Sequence, residues 1–199
     1  MTGVKEEKAM QTSSLIRWSG LAAVLGGALW IAKVLYEMND VTTYARDITD
    51  YMFFVVPLLL LVGLAGLYAL DVRRAGQRGR VFLAGFLMGA LGLMGISLSF
   101  GLWTLGTLSD LLWGIMIGLL PLGLGLMILG GSIIESGTLG RAKALPLVMG
   151  FMSILALALP PWNVAGVTVW ALSGGGWVVL GVAIWASGNE RAVRTARVQ

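Results

Sequence analysis

The sequence predicts an all-α, polytopic membrane protein. Six transmembrane helices form three antiparallel hairpins, with both termini in the cytoplasm. Three observations predict this. Charged residues make up 12% of the 199 positions, about half the share of an ordinary soluble domain, and mean hydropathy is +0.86. Six apolar runs approach the roughly 20 residues that a helix needs to cross about 30 Å of hydrocarbon. Basic residues gather on one side of those runs.

The runs are 15–36, 52–70, 81–103, 111–134, 144–162 and 164–186. The first follows Lys5, Lys8 and Arg17, as a signal peptide would. It continues to Tyr36 with no small-residue cleavage site, so it reads as a retained helix. The last two runs are separated only by "PPWN" (160–163), where two prolines force a turn. Short connections make consecutive helices antiparallel neighbours, and lipid offers backbone amides no partner outside a helix. Residues 1–13 read as a disordered tail, 14–187 as the transmembrane domain and 188–199 as a basic tail.

Twelve of the 14 basic residues lie on the side of the termini: Lys5, Lys8, Arg17, Arg73, Arg74, Arg78, Arg80, Arg141, Lys143, Arg191, Arg194 and Arg197. Only Lys33 and Arg46 lie opposite. Positive residues favour the cytoplasm, which places both ends inside a bacterial-type inner membrane. Trp30, Trp103, Trp113, Trp162 and Trp170 mark the outer ends of the helices, and Trp18 and Trp185 the inner ends, as interfacial belts do. The pI of about 9.8 therefore reflects topology rather than nucleic-acid binding.

Segment 57–76 aligns without gaps on 121–140, placing Asp71 opposite Glu135, and 129–137 aligns on 180–188. These matches suggest three related hairpins, 1–2, 3–4 and 5–6. The layout resembles that of bacterial acid-resistance membrane proteins with six helices in three hairpins; the resemblance is one of layout and carries no motif.

Candidate sites are few. Lys33 lies about 12 Å from the middle of the first helix at 1.5 Å per residue, with Glu37 one turn further. It reads as an anchor extending its ammonium to the headgroups, or as a charge at an external mouth. Glu37, Asp40, Asp47 and Asp50, with Asp110 on the same side, form an outer acidic cluster. Such acids are either solvated or a site for a hard divalent cation. Pro121 and the stretch Ser173, Gly174, Gly175 and Gly176 fall near mid-membrane. There they serve close packing or break helices to line a substrate path. Arg73, Arg74, Arg78, Arg80, Arg191, Arg194 and Arg197 suit anionic headgroups on the cytoplasmic side.

Several chemistries are excluded. The chain has no Cys and no His, which removes disulfides, thiolate and imidazole catalysis, His-ligated haem and the usual zinc sites. No phosphate-binding glycine loop is present. No cofactor is expected. The spans carry no carboxylate near their centres, which disfavours ion-coupled transport. The expectation is a non-enzymatic small integral membrane protein acting through assembly, packing or membrane-stress roles, with a protein partner or copies of itself. A permease or channel for a neutral solute, with its path near Pro121 and Gly174–Gly176, is the second reading. A membrane enzyme using the outer acidic loop is the third.

Overall fold

A computed structural model describes the backbone of residues 2–39, 48–71, 79–105, 111–159 and 164–197, and the side chains of 13–36, 54–71, 79–103, 105, 114–159 and 164–190. The described residues form α1 (Thr2–Asn39), α2 (Ile48–Asp71), α3 (Gly79–Thr104), α4 (Leu111–Ser136), α5 (Leu145–Ala158) and α6 (Val164–Arg197), with a 3₁₀ turn at Gly140–Ala142 before α5. Six helices are long and apolar enough to cross a membrane, as an integral membrane protein requires. Their apolar windows begin and end within a few residues of the runs read from the sequence.

The outward surface is apolar, as contact with lipid demands: Leu25, Leu87, Leu91, Leu98 and Ile117 are exposed. At 14 residues α5 is the shortest helix, about 21 Å at 1.5 Å per residue. Its span reaches sufficient length only by including the turn, as Gly140–Ala158. Pro146 sits in its first turn, where a missing amide costs nothing.

The helical backbone of α1 starts at Thr2 and that of α6 runs to Arg197. Residues 2–13, expected as a tail, are therefore continuous helical backbone with α1.

Each helix packs on its neighbours in sequence, and α1 closes against α6 in the most extensive contact of all. Glycines set that interface. A Cβ on Gly20 would sit 2.7 Å from the Gly181 carbonyl oxygen, and one on Gly181 would sit 2.6 Å from that of Gly20. One heptad on, Gly27 and Gly174 repeat the arrangement at 2.6 and 3.0 Å. The helices run antiparallel at a separation that only hydrogen atoms permit.

The α3–α4 contact is built alike. Gly92 meets Gly118, at 2.6 and 2.7 Å, and Gly85 meets Gly125, at 3.1 and 2.6 Å. Gly123 on α4 and Gly150 on α5 form a further reciprocal pair at 2.9 and 2.6 Å. Between α1 and α2, Gly63 receives Ala23 and Gly66 receives the Ser19 hydroxyl. Leu64, Leu67, Leu93, Leu126, Leu129 and Ile184 fill the core.

The helix contacts are unequal. The α5–α6 contact is the smallest between sequence neighbours, and the largest joins the first helix to the last. The reason is steric: α1 and α6 carry matching glycine heptads, whereas α5 offers α6 a methionine, Met149, against Gly176.

α4 passes through Pro121 and α6 through 173–177 without interruption. Proline removes one amide, and a single helical bond is lost. The three consecutive glycines stay helical because Gly174 packs on α1 and Gly176 on α5.

Candidate functional site

The expected site residues are dispersed. Asp40, Asp47, Asp110, Arg73, Arg74 and Arg78 lie outside the described residues, and the side chains of Glu37, Asp50, Arg191, Arg194 and Arg197 do too. Among the described residues, no group of three or more His, Cys, Asp or Glu is placed to hold a metal. Arg80 is exposed at the start of α3, and Lys33 is half-buried one turn beyond Trp30. Pro121 belongs to α4, whose main contacts are with α3 and α5; Ser173–Gly176 belong to α6, which packs on α1 and α5. The two halves of the expected path thus sit on helices that are not principal partners. Around Gly174 lie Trp30 and Ile31, and a Cβ on Gly175 would meet nothing within 4 Å.

The membrane-embedded hydroxyls mostly return to their own helix. Ser19 donates to the Ile16 carbonyl (2.8 Å), Ser99 to Gly95 (2.8 Å), Ser132 to Ile128 (3.2 Å), Ser153 to Met149 (2.9 Å) and Thr168 to Val164 (2.7 Å). Back-bonding of this kind satisfies a hydroxyl in apolar surroundings without offering it to a solute. Ser97 instead crosses helices, donating to the Phe54 carbonyl at 3.0 Å.

Two polar features stand out, one at each end. At the end opposite the termini, Trp30 and Trp170 stack with centroids 5.5 Å apart and planes 7° apart. Both are buried, at 6% and 8% exposure. The Trp30 indole N–H donates to the Trp170 carbonyl at 3.1 Å, while the Trp170 N–H is buried with no acceptor. These two rings join α1 to α6, whereas Trp18 and Trp185 are exposed, at 67% and 44%.

At the end that carries the termini, Asp71 closes α2 with 2% exposure. A carboxylate there faces the negative end of the helix dipole and has left water, so it needs a donor. The Thr138 hydroxyl donates to its Oδ1. The Ser136 hydroxyl has one proton, within reach of Thr138 Oγ1 at 2.7 Å and of the Ile133 carbonyl at 3.2 Å, and with the Thr138 proton on Asp71 it is Ser136 that donates to Thr138.

The backbone places these groups. Gly137, at φ 67°, ends α4 with its amide still on the Ile133 carbonyl at 2.9 Å, a left-handed cap. Gly140, at φ 54°, turns the chain again. Between them Thr138 points to Asp71, and Leu139 enters the core at 7% exposure. Tyr68 stacks on Phe82 (5.5 Å) and meets Phe86 tilted (4.7 Å) one turn before Asp71.

Compared with known proteins, the chain matches no family model, no curated protein and no solved structure.

Asp71 is the residue that sequence reasoning missed. It entered only as the partner of Glu135 in an alignment, and an acid beside arginines reads as solvated. Glu135 is indeed exposed, whereas Asp71 is buried. The available signal was "ESGTLG" (135–140), two hydroxyls on either side of one turn-forming glycine with a second glycine two residues on.

Proposed function

We propose that this is a non-enzymatic small integral membrane protein of the bacterial inner membrane, working by assembly with a protein partner or with copies of itself. Both termini lie in the cytoplasm, following the basic residues. Arg73, Arg74, Arg78, Arg80, Arg191, Arg194 and Arg197 lie against anionic headgroups there, each contributing about 1 kcal/mol.

One observation carries the reading. The helices meet backbone to backbone through Gly20, Gly27, Gly85, Gly92, Gly118, Gly125, Gly174 and Gly181, and the embedded hydroxyls are spent on helix carbonyls. A bundle so joined favours rigid packing over passage of a polar solute. Packing of Gly174 against Trp30 and of Gly176 against Met149 weighs against the permease reading in the same way.

The experiment is crosslinking in the native membrane followed by mass spectrometry, alongside solute flux in liposomes. Specific crosslinks to one partner or to a second copy are expected, with no flux above empty vesicles. Flux of a neutral solute that disappears in Gly175→Leu, with the fold retained, would replace this reading with a permease. The open space at Gly175 makes that substitution tolerable.

A further inference from the structure

We propose that Asp71, Thr138 and Ser136 form a latch that fastens the 137–144 strap over the terminal end of the bundle, and that its release exposes the buried face of the strap. The inference is independent of the assembly reading, since it concerns how one end of the molecule opens.

The strap joins α4 to α5 and turns at two glycines at positive φ, Gly137 at its start and Gly140 within it, a region that glycine enters without steric cost. Arg141, Lys143 and Ala144 are exposed, whereas Leu139 is at 7% and belongs to the hydrophobic core with Phe82 and Leu70. Leu139 is therefore a plug carried on an otherwise exposed segment.

Its fastening is polar. Thr138, one residue before the plug, donates to the buried carboxylate of Asp71. Ser136 supports the same hydroxyl from the last turn of α4. α2 and α4 are not principal packing partners, so the link between the strap and α2 rests on this hydrogen bond and on the burial of Leu139 in the core. A charge-assisted hydrogen bond in a water-poor site is a strong, directional fastening. It is also reversible, because freed hydroxyl and carboxylate are both well solvated at the membrane edge. A carboxylate buried at a helix C-terminus costs stability unless something compensates. A chain retaining one there, tied to a strap that turns at two glycines, has a two-state element at its terminal end.

The absence of native cysteine gives a clean test. The full-length chain is placed in lipid nanodiscs, open to both faces, and labelled with a membrane-impermeant maleimide. Single reporters are Leu139→Cys on the buried face of the strap, Arg141→Cys on its exposed face, and Ile16→Cys, buried on α1 at the same end.

Thr138→Val keeps the β-branch and removes the donor. It should raise labelling of Leu139→Cys by roughly 10-fold, the factor set by losing one charge-assisted bond. Arg141→Cys and Ile16→Cys should be unchanged. Thr138→Ser, which keeps the hydroxyl, should restore slow labelling. Asp71→Ala should act like Thr138→Val, and the double variant no more strongly than either alone. Unchanged labelling of Leu139→Cys in Thr138→Val would overturn the latch. So would an equal rise at Ile16→Cys, since that would mean general loosening of the bundle.

Discussion

Trp30 and Trp170 carry the same ring and unequal hydrogen bonds, and that difference is testable. Trp30 donates to a carbonyl of the neighbouring helix, while the Trp170 N–H is buried without an acceptor. Replacing either ring by phenylalanine keeps an aromatic face in the stack but removes the donor. Trp30→Phe removes a hydrogen bond between α1 and α6 and should cost about 1 kcal/mol. Trp170→Phe removes an unsatisfied group and should leave stability equal or higher. Thermal unfolding in mild detergent distinguishes them; equal losses would mean that ring volume alone matters. Serines offer a parallel contrast. Ser97→Ala breaks a bond between helices and should cost about 0.6 kcal/mol, whereas Ser99→Ala removes a bond within α3 and should be near neutral.

At the scale of helices, glycine decides which pairs approach. A methyl group on Gly27 or Gly92 would meet a carbonyl oxygen at 2.6 Å, so Gly27→Ala and Gly92→Ala should each lose about 1–3 kcal/mol by overpacking. Gly131 has nothing within 4 Å. There alanine should gain up to about 1 kcal/mol from helix propensity. The opposite signs, read by unfolding in detergent, separate packing from propensity. The same contrast marks what the sequence could disclose. Six spans were legible because length and hydropathy are local properties. Partner choice was not, because it depends on two faces far apart in the chain. Even so, Gly20–Gly27, Gly85–Gly92, Gly118–Gly125 and Gly174–Gly181–Gly188 all recur at seven residues. That spacing would have pointed to α1 and α6 as partners. Asp71 and the Trp30–Trp170 stack stayed hidden for a related reason: burial of a polar group is set by residues about 70 and 140 positions away.

For the whole molecule, closure of the first helix on the last has consequences for assembly. Transmembrane helices insert individually and then associate through packing. The Gly20–Gly27 face of α1 therefore has no counterpart until α6 follows, and until then exposes backbone carbonyls to lipid. A chain ending at residue 163 should insert five spans with α1 held only by α2, the contact that Ala23 and Ser19 make with Gly63 and Gly66. It should be degraded faster than the full chain. Supplied separately, residues 164–199 should restore its lifetime and co-purify with it, because the α1–α6 interface needs no covalent link. Gly181→Leu in the supplied piece should abolish the rescue, since any Cβ there lies 2.6 Å from the Gly20 carbonyl. Pulse-chase labelling with affinity capture reads both effects. Rescue that survives Gly181→Leu would show that the glycine faces do not bring the ends of the chain together.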